Sequence, residues 1–391
     1  MSSSLIIFIV LIYFLALFAI SYFTKGNDDN STFFSANKSS PWYVVAFGMV
    51  GASLSGITFI SVPGDVGQIE FTYFQVVLGY MFGYFDVALV LLPIYYKLKL
   101  TSIYEYLNTR FGPTRHRTGA FFFFISRVIG ASFRLFLVAG VLQIAVFNQL
   151  GMPFYFSVLI TILLIWVYTF KGGIKTIVWT DALQTFFMLS AVIITIFIIL
   201  EEMNLSLFES IELVKNSQYS NIFYFDWKSS NDFFKQFFSG AFIAIVMTGL
   251  DQDMMQKNLT CKNLEDAQKN IFWFCVILVI ANLLFLSLGA LLYIYSESLN
   301  IPIPQRSDDL YPLLALNNLG EITSVIFLLG IIAAAYSSAD SALTSLTTSF
   351  CIDFLNIDNS SNKKRIRFFV HIGFSIILFI VILIFKEINN E

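Results

Sequence analysis

Charge is scarce in this sequence. Only 13% of the 391 residues are charged and 57% are hydrophobic, whereas soluble domains are about 25% charged and about 45–50% apolar. This balance excludes an ordinary soluble domain and predicts an all-α polytopic membrane protein, because helices satisfy their own backbone groups in lipid. The formal net charge of -3 gives no sign of a basic surface, so we expect a lipid bilayer as partner and no nucleic acid.

Cysteine and histidine are also rare. The sequence holds three cysteines and two histidines, and Cys261, Cys275 and Cys351 are too scattered for a metal spacing or a disulfide framework. The signature motifs of serine hydrolases, zinc peptidases, P-loop proteins and dinucleotide-binding enzymes are missing as well. We therefore expect neither an enzyme nor an organic cofactor.

Long apolar runs occupy most of the chain. A membrane-spanning helix needs about 20 predominantly apolar residues, and the whole chain, residues 1–391, is predicted to form one transmembrane domain. The first run lacks a basic n-region and a small-residue cleavage site, which favours a span over a signal peptide. The ten predicted spans are 5–23, 44–64, 72–96, 118–147, 153–170, 176–200, 236–255, 271–295, 322–350 and 368–385.

Lysine and arginine concentrate in every second connection between these spans. Cytoplasmic loops carry the excess of basic residues, so the pattern predicts that the N-terminus lies outside an inner (plasma) membrane. The longest connection, 201–235, is then outside, and it is predicted to be a partly helical cap.

The sixth span begins with the segment GGIKTIVWTDALQ, residues 172–184, which places Asp181 a few residues into an apolar run. An ionisable group at membrane depth is costly and usually serves ion handling or helix association.

The second span contains the small-residue segment 51–56, GASLSG. Glycine weakens a helix interior, and irregular backbone at membrane depth survives where it is buried in protein or lines a cavity. The segment therefore indicates either a broken helix, whose free carbonyls could bind a cation, or a packing seam of small residues.

The ninth span is rich in hydroxyl groups around one carboxylate. Ser337, Asp340, Ser341 and Thr344 recur at helical spacing and share one face. Their oxygens suit a hard cation, and no histidine or cysteine joins them, which argues against a transition metal. Hydroxyls can instead bond back to their own helix, but this alternative leaves the Asp340 carboxylate without a partner.

The seventh span ends in DQDMMQKNL, where Asp251 and Asp253 stand near the predicted inner interface. These carboxylates fit a gate, or a solvated helix end in which Asp253 pairs with Lys257 four residues later.

In the fourth span, Arg127 and Arg134 lie two turns apart on one face. Either arginine could bind a carboxylate, and snorkelling to an interface is the alternative, which fits Arg127 better.

Four segments in order, ASLSGITFISVPG, SIYEYLNTRFG, GGIKTIVWTDALQ and AAAYSSADSALTS, resemble motifs of the sodium:solute symporter family, and DQDMMQKNL resembles a fifth. The resemblance implies a LeuT-like fold of two inverted five-helix repeats. The lead helix would be 5–23, the first repeat 44–200, the outer loop 201–235 and a partial second repeat 236–385. The fifth helix of that repeat and the C-terminal helices common in the family are expected to be missing.

The resemblance also assigns site residues. It implies a sodium site made by the carbonyls of Gly51, Leu54 and Ala334 and the hydroxyls of Ser337 and Ser338. It implies a second cation site at Asp181, with Asp340 and Ser341 as its expected partners. The candidate substrate residues are Ser53, Ser55, Thr58, Tyr73, Gln75, Arg134 and Thr248.

These residues predict sodium-coupled symport of a small polar organic solute, such as a sugar, an amino acid or a carboxylate, by alternating access. Na+ is the expected coupling ion and the only expected metal, and the protein is expected to be a monomer. A solute-binding sensor that does not transport, or an inactive truncated remnant, is the alternative.

Overall fold

The computed structural model describes residues 3–24, 29–143, 147–148, 151–170, 172–357 and 362–388. These residues are almost entirely helical. The helices are α1 (Ser3–Thr24), α2 (Asn30–Ser35), α3 (Trp42–Ser53), α4 (Gly56–Ile69), α5 (Tyr73–Asp86), α6 (Leu92–Leu98), α7 (Glu105–Phe111), α8 (Pro113–Leu142), α9 (Phe154–Thr169), α10 (Ile174–Glu202), α11 (Leu207–Asn216), α12 (Phe233–Ala244), α13 (Gln252–Asn258), α14 (Leu264–Ser298), α15 (Leu310–Asn317), α16 (Gly320–Ser349) and α17 (Lys363–Ile388).

The predicted all-α membrane architecture agrees with this description. Within the described ranges, 6 helices are long and apolar enough to cross a membrane, or up to 7 if a bent pair counts as one span. Each predicted span coincides with one or two of the helices, counting the shorter α1, α3 and α9. Residues 144–146, at the end of the fourth predicted span, lie outside the described residues. The division into two repeats stays a prediction.

The second span is broken inside the segment 51–56. Helix α3 ends at Ser53, Leu54 leaves helical geometry with φ -85° and ψ 83°, and the Ser55 side chain caps α4 by accepting a hydrogen bond from the Thr58 backbone N–H. A serine at this position satisfies one of the free donors of the new helix. The small residues also allow close packing, since a Cβ on Gly56 would lie 3.0 Å from Ala335 Cβ. Both interpretations of the segment therefore apply.

The seventh span is also broken, which the sequence analysis did not predict. Residues Phe233–Gly249 and Gln252–Asn258 meet at a bend of 71°. The first part ends in a π-helical turn, and Asp251 then starts α13 as its N-cap, its Oδ1 accepting hydrogen bonds from the backbone N–H groups of Asp253 and Met254. A carboxylate at the first turn also interacts favourably with the helix dipole. Asp251 therefore begins a new helix instead of standing at the end of an old one.

Helices α10 and α16 form the centre of the molecule. Helix α10 packs along α16 and α3, and every residue of α16 from 330 to 349 is buried. Elsewhere, α5 and α12 approach backbone to backbone, because a Cβ on Gly79 would lie 2.0 Å from the Phe237 carbonyl oxygen. Small residues allow this contact between membrane helices.

The connection 201–235 contains a helix, as predicted. Helix α11 begins with a capping box, in which the side chains of Ser206 and Glu209 each accept from the other residue's backbone N–H. The rest of the connection is tied to the helix bundle through Gln75, which donates to the Asn231 carbonyl at 3.0 Å and accepts from the Tyr224 N–H at 3.2 Å.

Candidate functional site

A polar cavity of about 270 Å³ lies between the two helix breaks. The first break supplies one wall and the second break the opposite one, while α5, α8 and α14 contribute the rest. The lining residues are Ala52, Ser53, Leu54, Ser55, Thr58, Tyr73, Tyr80, Tyr84, Arg127, Arg134, Ile243, Ala244, Met247, Thr248, Asp253, Met254 and Leu278.

Most of the substrate residues suggested by the resemblance line this cavity. The hydroxyls of Ser55 and Thr58 lie 3.3 Å apart, and the phenol oxygens of Tyr73 and Tyr80 lie 3.2 Å apart, so the wall offers both donors and acceptors. Ser53, Arg134 and Thr248 also line the cavity, so every predicted substrate residue except Gln75 is found there.

Gln75 does not belong to this set. It is absent from the cavity lining, and both ends of its amide bind the connection 201–235. Tyr73 and Gln75 are two residues apart on α5, so they point to different sides of the helix. Tyr73 lines the cavity, whereas Gln75 contacts the connection 201–235.

The two arginines of α8 have different partners. Arg127 forms an ion pair with Asp251 and a second one with Asp253 at 3.2 Å. Its side chain is 10% exposed, so the alternative of snorkelling does not describe Arg127, which pairs with carboxylates of the protein. Among the described residues, Arg134 forms no ion pair and no hydrogen bond, although it lines the same cavity. Asp251 and Asp253 thus contact the Arg127 guanidinium directly, while Arg134 lies within their electrostatic reach but has no direct partner among the described residues.

This arrangement also corrects the expectation for the acidic residues of the seventh span. Asp253 pairs with Arg127 of α8, which rules out the alternative in which it pairs with Lys257. Lys257 instead crosses to α10, where its Nζ lies 2.7 Å from Asp181 Oδ2. The helix break turns α13 by 71°, which places these side chains against other helices. A gating role for Asp251 and Asp253 remains a proposal.

The five residues of the implied sodium site offer oxygen atoms from the break in the second span and from α16. The end of α3 leaves carbonyls such as that of Gly51 without an intrahelical partner, and Leu54 lies in the break itself. On α16, the Ser338 hydroxyl donates to the Ala334 carbonyl oxygen of its own helix at 3.5 Å. These groups are oxygen donors of the kind that alkali and alkaline-earth cations prefer.

Ser337 has a second contact, with Asp181. Its hydroxyl donates to Asp181 Oδ1 at 2.6 Å. A hydroxyl carries one proton and two lone pairs, so Ser337 can donate to Asp181 and still offer a lone pair to a cation.

The direct contacts of Asp181 in the structure are not the residues implied by the resemblance. Asp181 contacts Ser337 and Lys257. Asp340 accepts a hydrogen bond from the Tyr168 hydroxyl at 2.9 Å and another from the Ser341 backbone N–H at 2.6 Å. The side chain of Asp340 is therefore held by α9 and by its own helix, although it lies within electrostatic reach of Asp181 and Lys257. A second cation site at Asp181, Asp340 and Ser341 stays a prediction.

A further buried cluster lies at the N-terminal end of α8. His116 Nε2 lies 2.8 Å from Asp353 Oδ1, and the Ser102 hydroxyl donates to Asp353 Oδ2 at 2.7 Å. No motif predicted this cluster, since the partners are more than 230 residues apart along the chain. Lys257, by contrast, stood in a recognised motif, and only its partner was missed.

Comparison with known proteins connects this geometry to a family. The model of the sodium:solute symporter family matches residues 33–391. The chain is 24% identical to the sodium/sialic acid symporter NanT of Aliivibrio fischeri, over 91% of this chain and 71% of the relative. It is 25% identical to a putative sodium-dependent multivitamin transporter of Drosophila melanogaster, over 92% and 60%, respectively. The sodium/glucose cotransporter of Vibrio parahaemolyticus is 24% identical over 87% and 66%.

Solved structures show the same fold. A Na+-coupled sialic acid symporter, solved in a substrate-bound outward-open state, superposes with a TM-score of 0.86 at 20% identity, covering 97% of this chain and 82% of the other. A nucleobase-cation-symport-1 family transporter in a closed conformation superposes with a TM-score of 0.57 at 16% identity, covering 90% of this chain and 74% of the other. The LeuT-type fold predicted from the motifs is thereby confirmed, and the chain belongs to the sodium:solute symporter family.

Proposed function

We propose that this chain is a sodium-coupled symporter, and that a small polar solute crosses through the cavity between the two helix breaks by alternating access. The observation that carries the proposal is the meeting of two interrupted helices at one polar cavity. In transporters of this architecture, discontinuous helices form the substrate and ion sites near the middle of the membrane.

The Arg134 guanidinium favours a solute with a carboxylate. Arg127 pairs directly with two aspartates, whereas Arg134 lines the cavity without a direct ion pair among the described residues, within electrostatic reach of the same aspartates. Arginine binds a carboxylate through two parallel hydrogen bonds, and such charge-assisted pairs are strong where water is scarce. The relatives named for sialic acid transport agree with an acidic solute.

Sodium is proposed to bind at Gly51, Leu54, Ala334, Ser337 and Ser338. These groups belong to the break in the second span and to α16, so a bound cation would hold the cavity wall against the centre of the molecule. Sodium and solute should then each raise the other's affinity, because coupling between sites is reciprocal. A negative inside potential adds about 2.3 kcal/mol per charge per 100 mV to inward movement. We further propose a monomer in the inner (plasma) membrane with its N-terminus outside.

Uptake into proteoliposomes tests the proposal. An acidic sugar, a neutral sugar and a monocarboxylate are supplied with an inward sodium gradient or with the same gradient of potassium. We expect uptake of a carboxylate-bearing solute that requires sodium. Replacement of Arg134 by methionine should raise the KM for that solute about 100-fold, as expected for a lost charged hydrogen bond of about 2–3 kcal/mol. Arg117→Met, on the exposed part of the same helix, is the matched control.

Other outcomes would change the assignment. Uptake that proceeds equally in potassium would contradict sodium coupling. Preference for the neutral sugar would contradict the role of Arg134 and leave the transport proposal standing. Solute binding in detergent without uptake would favour a sensor, and loss of both would favour an inactive remnant.

A further inference from the structure

The second cation site that the family resemblance implies, at Asp181, contains the ammonium group of Lys257. Lys257 Nζ lies 2.7 Å from Asp181 Oδ2, and both side chains are 1% exposed. The Ser337 hydroxyl occupies the other oxygen, Oδ1, at 2.6 Å. Both oxygens of the carboxylate are therefore engaged, one by a full positive charge and one by a hydroxyl.

The Asp340 carboxylate, a further oxygen donor expected at that site, lies within electrostatic reach of Asp181 and Lys257 but has hydrogen-bond partners of its own. Asp340 is held by Tyr168 and by the Ser341 backbone N–H, and among the described residues no hydrogen bond joins it to Asp181. A sodium ion at Asp181 would have to displace the ammonium group. That would place two positive charges side by side in a buried site and take from the ammonium the carboxylate that contacts it, which is unfavourable.

The position of Lys257 follows from the break in the seventh span. The 71° bend directs α13 toward the centre of the molecule, where all seven of its residues are buried. Asp253, one turn earlier, lies in the cavity wall and pairs with Arg127. The helix therefore carries Asp253 to the cavity and Lys257 to the cation site.

We propose that the Lys257 ammonium takes the place of the second cation, so that this chain binds a single sodium ion at the site between α3 and α16. In this proposal Lys257 determines the ion stoichiometry of the transporter. It rests on the proposed sodium-coupled function, and it concerns the number of ions, not whether sodium binds.

Direct binding of radioactive sodium to the purified full chain in detergent tests the proposal, with sodium-dependent tryptophan fluorescence as a second readout. The wild-type protein should bind about one ion with a Hill coefficient of about one, because the coefficient cannot exceed the number of sites. Lys257→Gln should free Asp181 and raise the count to about two. Adding Asp181→Asn to that variant should return the count to about one.

Lys262→Gln provides the control, because Lys262 lies just beyond α13 and is exposed; it should leave the count unchanged. Two ions bound by the wild-type protein would overturn the inference while leaving sodium coupling intact. No sodium binding by the wild-type protein would instead contradict the proposed function. If Lys257→Gln fails to fold, the wild-type count alone still decides between one site and two. An unchanged count in a folded Lys257→Gln variant would also overturn the inference.

Discussion

Gly51 donates its backbone N–H to the Thr185 hydroxyl at 3.0 Å, which joins the end of α3 to the centre of α10. The same hydroxyl donates to the Asp181 carbonyl at 2.8 Å. Helices α3 and α10 approach so closely here that a Cβ atom on Gly51 would clash with Thr185 Oγ1. The helix that ends at the proposed sodium site is thus positioned against the helix that carries Asp181.

Substitution of Gly51 by alanine should therefore destabilise the protein. The added methyl group forces Thr185 to rotate and breaks its contact with α3, a change that typically costs about 1–3 kcal/mol. Thermal unfolding in detergent, followed by fluorescence, measures the effect. Gly51→Ala combined with Thr185→Ala removes the clashing oxygen and should recover much of the loss. A double variant no more stable than Gly51→Ala would show that the contact with Thr185 is not the cause.

Arg127 should be far more important for stability than other arginines of α8. Arg127→Met leaves Asp251 and Asp253 without their shared counter-ion, and loss of one member of a buried pair costs about 3–5 kcal/mol. Unfolding in denaturant measures this, with the exposed Arg117→Met as control. Arg127→Lys should be intermediate, since lysine keeps the charge but lacks the planar fork that contacts two carboxylates. Equal stability of the Arg127→Met and wild-type proteins would contradict a structural role for the ion pairs of Arg127 with Asp251 and Asp253.

Gln75 should hold the outer connection and not the solute. Gln75→Leu removes hydrogen bonds to Asn231 and Tyr224 and should increase amide hydrogen exchange across residues 224–231, because local opening becomes easier. Hydrogen exchange with mass spectrometry provides the measurement. The exposed Gln68 offers a matched Gln→Leu control. If Gln75→Leu raises the KM for the solute but leaves amide hydrogen exchange unchanged, Gln75 acts in solute binding and not in holding the connection.

Helix α11 should loosen in acid. The Ser206 hydroxyl and backbone N–H lower the pKa of the Glu209 carboxyl below its ordinary value of 4.5, because both bonds favour the charged form. A lowered pKa in the folded state contributes stability above the unfolded pKa, and that stability is lost as the pH falls through the folded value. Hydrogen exchange of residues 207–216 should therefore rise below about pH 4.5.

Ser206→Ala provides the test of that assignment. It removes the hydroxyl of the capping box and should weaken the pH dependence as well as raise exchange at neutral pH. If the acid effect in Ser206→Ala equals that of the wild-type protein, the capping box is not its source.

The sequence by itself determined the class of protein and its family. Apolar runs of membrane length predicted the helices, because a chain in lipid must satisfy its backbone groups within each span. The small residues 51–56 indicated a break, since a helix is weakest where glycine and serine replace larger side chains. Both signals are local, and a single sequence contains local information directly.

Tertiary structure alone decided which charges meet. Helical spacing allowed Lys257 to pair with Asp253, which lies on the same helix, α13. The 71° bend before α13 packs that helix among other helices, so Asp253 meets Arg127 of α8 and Lys257 meets Asp181 of α10, 76 residues earlier. Arg127 and Arg134 lie on one face of α8 and line the same cavity. The packing of the broken seventh span against that face brings Asp251 and Asp253 into contact with Arg127, whereas Arg134 has no direct ion pair among the described residues. Ion pairs in a membrane protein depend on which helices pack together, and a buried charge must find its partner there.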